Sequence, residues 1–272
     1  MGSTFKTDFS DPGNRTLLAL MFGRPKIGKT RCLLDIARKE GNYLILISTD
    51  RGARPHLMRE PEVFKKKVAL AEPSGLQEMR ECISEAGTMV KKLLGQGVLP
   101  TNIWIAVDTV THLQIKLLQE ARKIDLRAPA TADRSDEEFV RDFQTEVDWG
   151  INLTLMSEQA DKLVSLGVNL VYVALERTEK PKGQPEKPVP ALSGQSRDRL
   201  MGDVDVILHM AQGDDGKRFF ETDYRGGAGD RTGRLDRVEE PSLLGILNKV
   251  FRSTNGSAAT DTKTTSNEEA QQ

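Results

Sequence analysis

Apolar and polar positions follow two different periods along this chain, and their order predicts the fold class. Short runs of continuous apolar residues are typical of strands that are buried on both faces of a sheet. Between them lie stretches in which apolar residues return every three or four positions, as on one face of a helix. Strands that alternate with helices predict an α/β fold with a mainly parallel central sheet and helices on both faces. The predicted strands cover residues 16–22, 43–49, 68–71, 103–108, 168–175 and 204–210.

The helical stretches fill most of the intervals between these strands. Ser74 begins a long helix, with Gln77 three residues later in the position of a capping box. A second long helix is predicted to break near Gly150. Residues 178–196 are rich in Pro, Lys, Gly and Gln, and they are predicted to form a loop rather than a core element. The predicted helices cover residues 31–40, 74–95, 111–123, 137–166 and 243–251.

The late part of the chain predicts a sheet edge and a disordered end. Residues 219–224 are expected to pair with the strand 204–210 as an antiparallel edge hairpin, across a turn at 212–216. Residues 253–272 contain no aromatic residue and no Val, Ile or Leu, so they cannot bury a core and are predicted to be disordered. The resulting division is a lead-in (1–15), one core domain (16–252) with flexible segments at 127–134 and 226–229, and the tail (253–272).

Composition and charge narrow the function classes. The 272 residues include 39 basic and 40 acidic side chains, which give a net charge of −1, so any nucleic-acid binding must use local patches. Cys32 and Cys82 lie in apolar helical patterns, which predicts buried, reduced thiols. No apolar run approaches the length of a membrane span, and the first residues lack the pattern of a signal peptide. We therefore expect a soluble, cytoplasmic protein with no membrane partner.

The residues from Gly23 to Thr30, with the sequence GRPKIGKT, fit the phosphate-binding pattern G-x-x-x-x-G-K-[ST] at every fixed position. They lie between a predicted strand and a predicted helix, which is the context that this pattern requires. Gly23 and Gly28 allow the backbone N–H groups to point at a phosphate. Lys29 can reach the β- and γ-phosphates, and the Thr30 hydroxyl can bind Mg²⁺. The residues predicted to bind the nucleotide, with ATP and Mg²⁺ as cofactors, are Gly23, Arg24, Pro25, Lys26, Ile27, Gly28, Lys29, Thr30 and Arg31.

Charged residues end three of the later strands, at the edge of a parallel sheet where ligands bind. Asp108 is predicted to hold Mg²⁺, and the alternative is that it caps the following helix. Asp50 is a candidate catalytic base for the attacking water, or otherwise a solvated turn residue. Glu176, together with Arg177, is a candidate sensor of the γ-phosphate and a second candidate catalytic group. The alternative is a pair of exposed loop charges.

Two later features suggest a polymeric partner and an oligomer. Residues 177–199 carry six basic and three acidic side chains, a local excess that suits a single-stranded DNA backbone; an ordinary solvated loop is the alternative. Arg231 lies between Gly229 and Gly233, where it could reach the nucleotide of a neighbouring subunit as a catalytic arginine finger. The basic residues are Arg177, Lys180, Lys182, Lys187, Arg197 and Arg199.

Together these features resemble the RecA-core P-loop ATPases of bacteriophages, which include single-strand-annealing recombinases. The resemblance covers about residues 16–237. It implies a RecA-type fold, Mg²⁺-ATP binding, a homo-oligomer with nucleotide at the subunit interfaces, single-stranded DNA as partner, and the cytoplasm of a phage-infected host. The motifs that carry it are Gly23–Thr30, Asp50, Ile103–Asp108 and Asp230–Gly233.

Position by position, the resemblance assigns phosphate and Mg²⁺ binding to Lys29 and Thr30, and the second acidic motif to Asp108. Asp50 stands where RecA relatives usually carry a catalytic Glu. Leu175 stands near the place where they often carry a polar Gln or His.

Two other functions are compatible with the same residues. One is a helicase-type or loader-type ATPase of replication. The other is a nucleotide-gated DNA-binding module with negligible turnover.

One position departs from the pattern of related ring and filament ATPases, which carry a Lys-x-Arg motif late in the chain. Gly229 replaces the Lys of that motif, so only the arginine, Arg231, is kept here.

Overall fold

A mainly parallel β-sheet runs through the computed structural model, which describes residues 15–123, 146–180, 182–183, 185–222 and 234–251. Neighbouring strands follow the order β3-β2-β4-β5-β1-β7-β8-β9, and β6 pairs with β5 alone. The pairs from β3 to β7 are parallel, whereas the β7–β8, β8–β9 and β5–β6 pairs are antiparallel. The strands are β1 (Leu18–Gly23), β2 (Tyr43–Ser48), β3 (Val68–Ala71), β4 (Ile103–Asp108), β5 (Asn169–Glu179), β6 (Lys187–Pro190), β7 (Val206–Gln212), β8 (Arg218–Glu221) and β9 (Val238–Glu239).

Helices cover both faces of this sheet. The short helices α2 and α3 connect β2 to β3 and had no counterpart in the predicted pattern. The helices are α1 (Lys29–Arg38), α2 (Arg54–Met58), α3 (Glu62–Lys65), α4 (Leu76–Gly95), α5 (Val110–Lys123), α6 (Glu146–Val164), α7 (Gln195–Asp203) and α8 (Leu243–Phe251).

The alternation of side chains along the strands divides the core into two halves. In β1, Ala19 and Met21 point to the side covered by α1 and α8. Leu20 and Phe22 point to the opposite side, where α4, α5 and α7 pack. Both faces of β1 are therefore buried, as its continuous apolar run predicts. The predicted α/β fold with a mainly parallel sheet is confirmed, and so is the late antiparallel hairpin, in which Gln212 pairs with Arg218.

The prediction of a loop at 178–196 is wrong. Strand β5 continues to Glu179 and pairs antiparallel with β6, in the register Arg177 to Val189, and α7 follows from Gln195. The Pro and Lys content that suggested a loop is tolerated because β6 has only one neighbour and needs few backbone donors. Val189 and Leu192 are buried and anchor the segment to the core.

Three smaller predictions also need correction. Helix α6 runs through Gly150 without a break, since one glycine costs a helix only about 1 kcal/mol. Ser74 donates two hydrogen bonds of 2.7 Å, from its N–H and its hydroxyl, to the carboxylate of Glu78, and the predicted capping box with Gln77 is not formed. Cys32 is buried, but Cys82 is only half-buried.

Several predictions fall outside the described residues. They concern most of the lead-in, the segment 127–134, the start of the helix at 137, the connector 226–229, Arg231 and the tail 253–272. Within the part of the chain that is described, no helix combines the length and apolar character that a membrane crossing requires.

Candidate functional site

The phosphate-loop residues turn sharply between β1 and α1, at the edge where the parallel strands have their carboxyl ends. Lys26 and Gly28 have positive φ angles of 64° and 108°. Gly28 is the residue before the first turn of α1, so the N-terminal N–H groups of the helix face the loop. A Cβ on Gly23 would lie 2.6 Å from the carbonyl oxygen of Met210 on β7. Both fixed glycines are therefore required by the geometry.

The Lys29 side chain is buried beneath the loop. Its amine donates hydrogen bonds to the carbonyl oxygens of Gly23 at 2.7 Å and Arg24 at 2.8 Å. Burial lowers the pKa of this amine, and the negative charge of Asp108 opposes the shift most strongly. The cation is thus held at the loop, where a phosphate would bind.

Thr30 and Asp108 form the closest polar pair of the site. The Thr30 hydroxyl donates a hydrogen bond to the Asp108 carboxylate at 2.6 Å. Asp108 ends β4 and is only 2% exposed. Burial raises the pKa of this carboxyl to about 6, although the Thr30 hydrogen bond acts in the opposite direction. The pair places two hard oxygen ligands side by side at the first turn of α1.

The alternative role for Asp108, as the cap of α5, is filled by its neighbour. The backbone N–H of His112 donates to the Thr109 hydroxyl at 3.2 Å, which is the hydrogen bond of a helix cap. Thr109 also contacts the residue that follows β2, because the Thr49 hydroxyl donates to its carbonyl oxygen at 2.7 Å. The end of β4 is therefore fixed by Thr109, and the Asp108 carboxylate is directed to Thr30.

The residues present fit a Mg²⁺-nucleotide. A cavity of about 520 Å³ lies over the loop, and Gly28, Lys29 and Thr30 line it. Mg²⁺ usually takes one or two protein oxygens and completes its shell with phosphate and water. Thr30 and Asp108 meet this requirement, and the described residues contain no group of three or more His, Cys, Asp or Glu that would hold a metal by itself. The cavity is lined by Pro25, Lys26, Gly28, Lys29, Thr30, Arg31, Asp50, His56, Asp108, Thr109, His112, Leu175 and Arg218.

Asp50 lies in the same cavity, two residues beyond β2 and close to Asp108. One of its carboxylate oxygens accepts hydrogen bonds from the Gly52 N–H at 2.9 Å and from the Ser48 hydroxyl at 3.3 Å. The turn role offered as the alternative is thus present, and the position of the side chain also suits a base beside the phosphate. The catalytic role stays a prediction.

Glu176 faces the other side of the loop. One oxygen is 3.0 Å from Nε2 of His209, and the other accepts from Arg24 at 3.5 Å. The second ring nitrogen of His209 is 2.7 Å from Glu221, and the ring stacks on Phe22 at 4.8 Å. Glu176 and His209 are each only 9% exposed. Glu176 is therefore neither an exposed loop charge nor a carboxylate with free oxygens.

This buried group borders a second cavity, of about 560 Å³, on the outer side of the phosphate loop. Arg24 and Ile27 line it. Of the nine residues predicted to bind nucleotide, Gly23 is buried and the other eight line one or both of the two cavities. Leu175 lines the phosphate cavity itself, and its N–H donates to the Thr111 hydroxyl at 3.0 Å.

Most of the basic side chains in residues 177–199 form ion pairs with acids of the same chain. Glu179 pairs with both Arg177 and Arg197. Lys180 pairs with Glu186 at 3.4 Å. Arg199 pairs with acids on α6 and α7. Among the described residues, only Lys182 and Lys187 of the six basic side chains have no ion-pair partner.

Four residues of the phosphate cavity were not predicted from the sequence. They are His56, Thr109, His112 and Arg218. His112 could have been found, because it lies in the first turn of the helix that directly follows Asp108. Arg218 could have been placed only from the register of the β7–β8 hairpin. Arg231 lies outside the described residues.

A comparison with protein families agrees with this geometry. A family model described as an AAA domain matches residues 15–232, which is most of the chain. No curated protein matches this chain. The chain therefore belongs to the AAA-domain family of P-loop ATPases.

Proposed function

We propose that this protein is a Mg²⁺-dependent ATPase that acts on single-stranded DNA, in phage recombination or annealing, as a homo-oligomer. The observation that carries the nucleotide part is the contact of Thr30 with Asp108 beside the buried Lys29 amine. A phosphate-loop lysine, a hydroxyl and an acid at the end of a neighbouring strand are the groups that P-loop ATPases use.

The roles of the residues follow from their positions. Lys29 binds the β- and γ-phosphates, and the loop N–H groups hold them in place. Thr30 and Asp108 hold the ion. Bound Mg²⁺ supplies positive charge where the transition state gains negative charge. Asp50 orients the attacking water and accepts its proton.

The DNA part of the proposal is supported by the β5–β6 hairpin. Strand β5 passes the phosphate loop at Leu175 and continues into the hairpin, so one strand connects the phosphate loop with the proposed DNA-binding segment. Lys182 and Lys187 are the hairpin cations without an acid partner among the described residues, which makes them the candidates for phosphate contacts. The resemblance to phage RecA-core ATPases favours single-stranded DNA as the polymer.

The nucleotide part is tested with Lys29→Ala. Its matched control is Lys39→Ala, the same change at the far end of α1. We expect Lys29→Ala to lose at least about tenfold in affinity for a fluorescent ATP analogue, because a charge-assisted contact contributes about 1.5–3 kcal/mol. The control should bind as the wild type does. Equal affinity in both variants would refute the nucleotide site.

The DNA part is tested with Lys182→Ala combined with Lys187→Ala. The control is Lys91→Ala combined with Lys92→Ala, which removes the same charge from the exposed side of α4. With a non-hydrolysable ATP analogue present, the hairpin variant should bind single-stranded DNA more weakly and with a flatter salt dependence, by about 0.7 in slope per lost contact. DNA affinity equal to that of the control would refute this hairpin as the DNA site.

Assembly and the rival functions are separated by the same protein preparations. ATP should shift the wild type toward larger species in sedimentation, and Arg231→Ala should reduce both this shift and hydrolysis. Duplex strand displacement in place of annealing would favour a helicase or loader. ATP-dependent DNA binding without phosphate release would favour a nucleotide-gated binding module.

A further inference from the structure

A cation from outside the predicted motif covers the phosphate loop. Arg218 is the first residue of β8 and pairs with Gln212, the last residue of β7. Since β7 is the parallel neighbour of β1, the β7–β8 turn returns the chain to the edge where the phosphate loop lies. The antiparallel hairpin thus delivers an arginine to a site built by parallel strands.

The guanidinium lies directly over Gly28. A Cβ built on Gly28 would be 2.8 Å from Cζ of Arg218 and closer still to one of its terminal nitrogens. Gly28 is the left-handed residue that precedes α1, with a φ of 108°. The loop N–H groups, the Lys29 amine and the Arg218 guanidinium therefore surround the same cavity.

Among the residues that the structure describes, Arg218 differs from neighbouring cations in having no acid partner. Lys217, one residue before it, pairs with Asp215 at 3.4 Å. Arg24, on the other side of the loop, pairs with Glu176. Across the described residues, no carboxylate forms an ion pair with Arg218. A guanidinium that lines the same cavity as the Lys29 amine, and that forms no ion pair of its own among the described residues, is suited to an anion that enters the cavity.

We propose that Arg218 binds the polyphosphate of the nucleotide in cis, opposite Lys29. This inference rests on the proposed nucleotide site. A guanidinium offers paired donors that match phosphate oxygens. Because Arg218 belongs to the same chain as the loop, its contribution does not require a neighbouring subunit, in contrast to the role proposed for Arg231.

Arg218 also belongs to the same hairpin as residues on the other side of the phosphate loop. The same two strands carry His209 and Glu221, which are in contact at 2.7 Å. Arg218 therefore lies on the same β7–β8 hairpin as His209, whose ring contacts Glu176.

The test compares Arg218→Gln with Lys217→Gln in the full chain. Both changes remove one positive charge from the same turn, but Lys217 faces Asp215. Affinity for ADP and for a non-hydrolysable ATP analogue is measured at protein concentrations low enough to keep the chain monomeric. We expect Arg218→Gln to bind both nucleotides about tenfold more weakly, Arg218→Lys to recover part of the loss, and Lys217→Gln to match the wild type.

Wild-type or tighter binding by Arg218→Gln would overturn the inference, since a guanidinium that merely covers the loop would hinder nucleotide entry. An equal loss in Lys217→Gln would also overturn it, because the effect would then be one of general charge. Both failures are distinguishable from failure of the nucleotide site, which Lys29→Ala reports independently. Arg218 is exposed, so thermal unfolding of the variant should match that of the wild type.

Discussion

The two sides of the phosphate loop each hold an acid at or near the carboxyl end of a parallel strand, but the two carboxylates have different hydrogen-bond partners. On the β4 side, Asp108 is buried with a single hydroxyl partner. On the β5 side, Glu176 is buried with His209 and Arg24 on its two oxygens. Location at the carboxyl end of a parallel strand therefore does not by itself make an acid reactive. Its partners decide whether its oxygens are available to a ligand.

The two sides also differ in the strands and helices that carry their polar side chains. The β4 side uses residues that directly end strands or begin a helix. The β5 side brings together β5, β7 and β8, and its acids already contact the side chains of Arg24 and His209. We therefore assign the chemistry to the β4 side, and a supporting and linking role to the β5 side.

The largest expected effect is on hydrolysis, and it sharpens this contrast. Asp108→Asn should slow Mg²⁺-dependent phosphate release by about 10³-fold, because the amide keeps the shape but loses the charge that holds the ion. Glu176→Gln is the matched change on the other side and should stay close to the wild-type rate. Both are measured by phosphate release at saturating ATP. A Glu176→Gln enzyme as slow as Asp108→Asn would break the comparison.

Replacing Asp50, also on the β4 side, should slow hydrolysis less than replacing Asp108. Asp50→Asn should bind ATP normally but hydrolyse it about 10²-fold more slowly, the usual scale for loss of a general base. The amide oxygen can still accept the Gly52 hydrogen bond, so stability should not change. Asp50→Glu, which keeps the carboxylate, should hydrolyse ATP at least as fast as the wild type. Normal turnover by Asp50→Asn would leave Asp50 with the turn role alone.

How much of the site the sequence could predict also differs between the two sides. The β4 side depends on spacing within one motif and on a polar residue after an apolar run, and both are local features. Lys29, Thr30 and Asp108 were therefore predictable, and the structure brings them together. Asp108 as a helix cap was a reasonable alternative, and only the contact of Thr109 with α5 excludes it.

The β5 side could not be predicted in this way, because its contacts join residues far apart in the chain. His209 reaches Glu176 across 33 positions. Its position depends on the register of β7, and that of Arg218 depends on the following turn. The hairpin after β5 was mistaken for a loop because its composition is that of a loop. The buried Val189 and Leu192, which reveal it as an element, were too few to produce a pattern.

The buried group on the β5 side should matter more for stability than for chemistry. His209→Phe keeps a ring against Phe22 but removes the contacts with Glu176 and Glu221. Leaving a largely buried carboxylate with one distant partner should lower the free energy of unfolding by about 2–3 kcal/mol. Urea unfolding measures this, with His56→Phe on the exposed helix α2 as control. An unchanged urea midpoint would contradict a structural role for the group.

The smallest expected effect is a gain in stability, and it comes from the β4 side. In metal-free protein with EDTA, burial raises the Asp108 pKa from 3.8 to about 6. Between these two pH values the folded chain keeps a proton that the unfolded chain loses, so the free energy of unfolding falls as pH rises. Two pKa units correspond to about 3 kcal/mol. Asparagine avoids the buried charge but makes a weaker bond with Thr30, which leaves a net gain of about 1–2 kcal/mol for Asp108→Asn.

This gain should be present at pH 7–8 and should vanish below about pH 4, where the wild-type carboxyl is protonated in both states. Chemical unfolding of both proteins across this pH range in EDTA measures it. Addition of Mg²⁺ and ATP should reverse the order, because ligand binding stabilises only the chain that binds it well. Glu176→Gln should show no such gain, because the Glu176 carboxylate already accepts a hydrogen bond from Arg24 and contacts the His209 ring. If Asp108→Asn is no more stable than the wild type at neutral pH, the carboxylate is not held at a cost, and the contrast between the two acids is one of position alone.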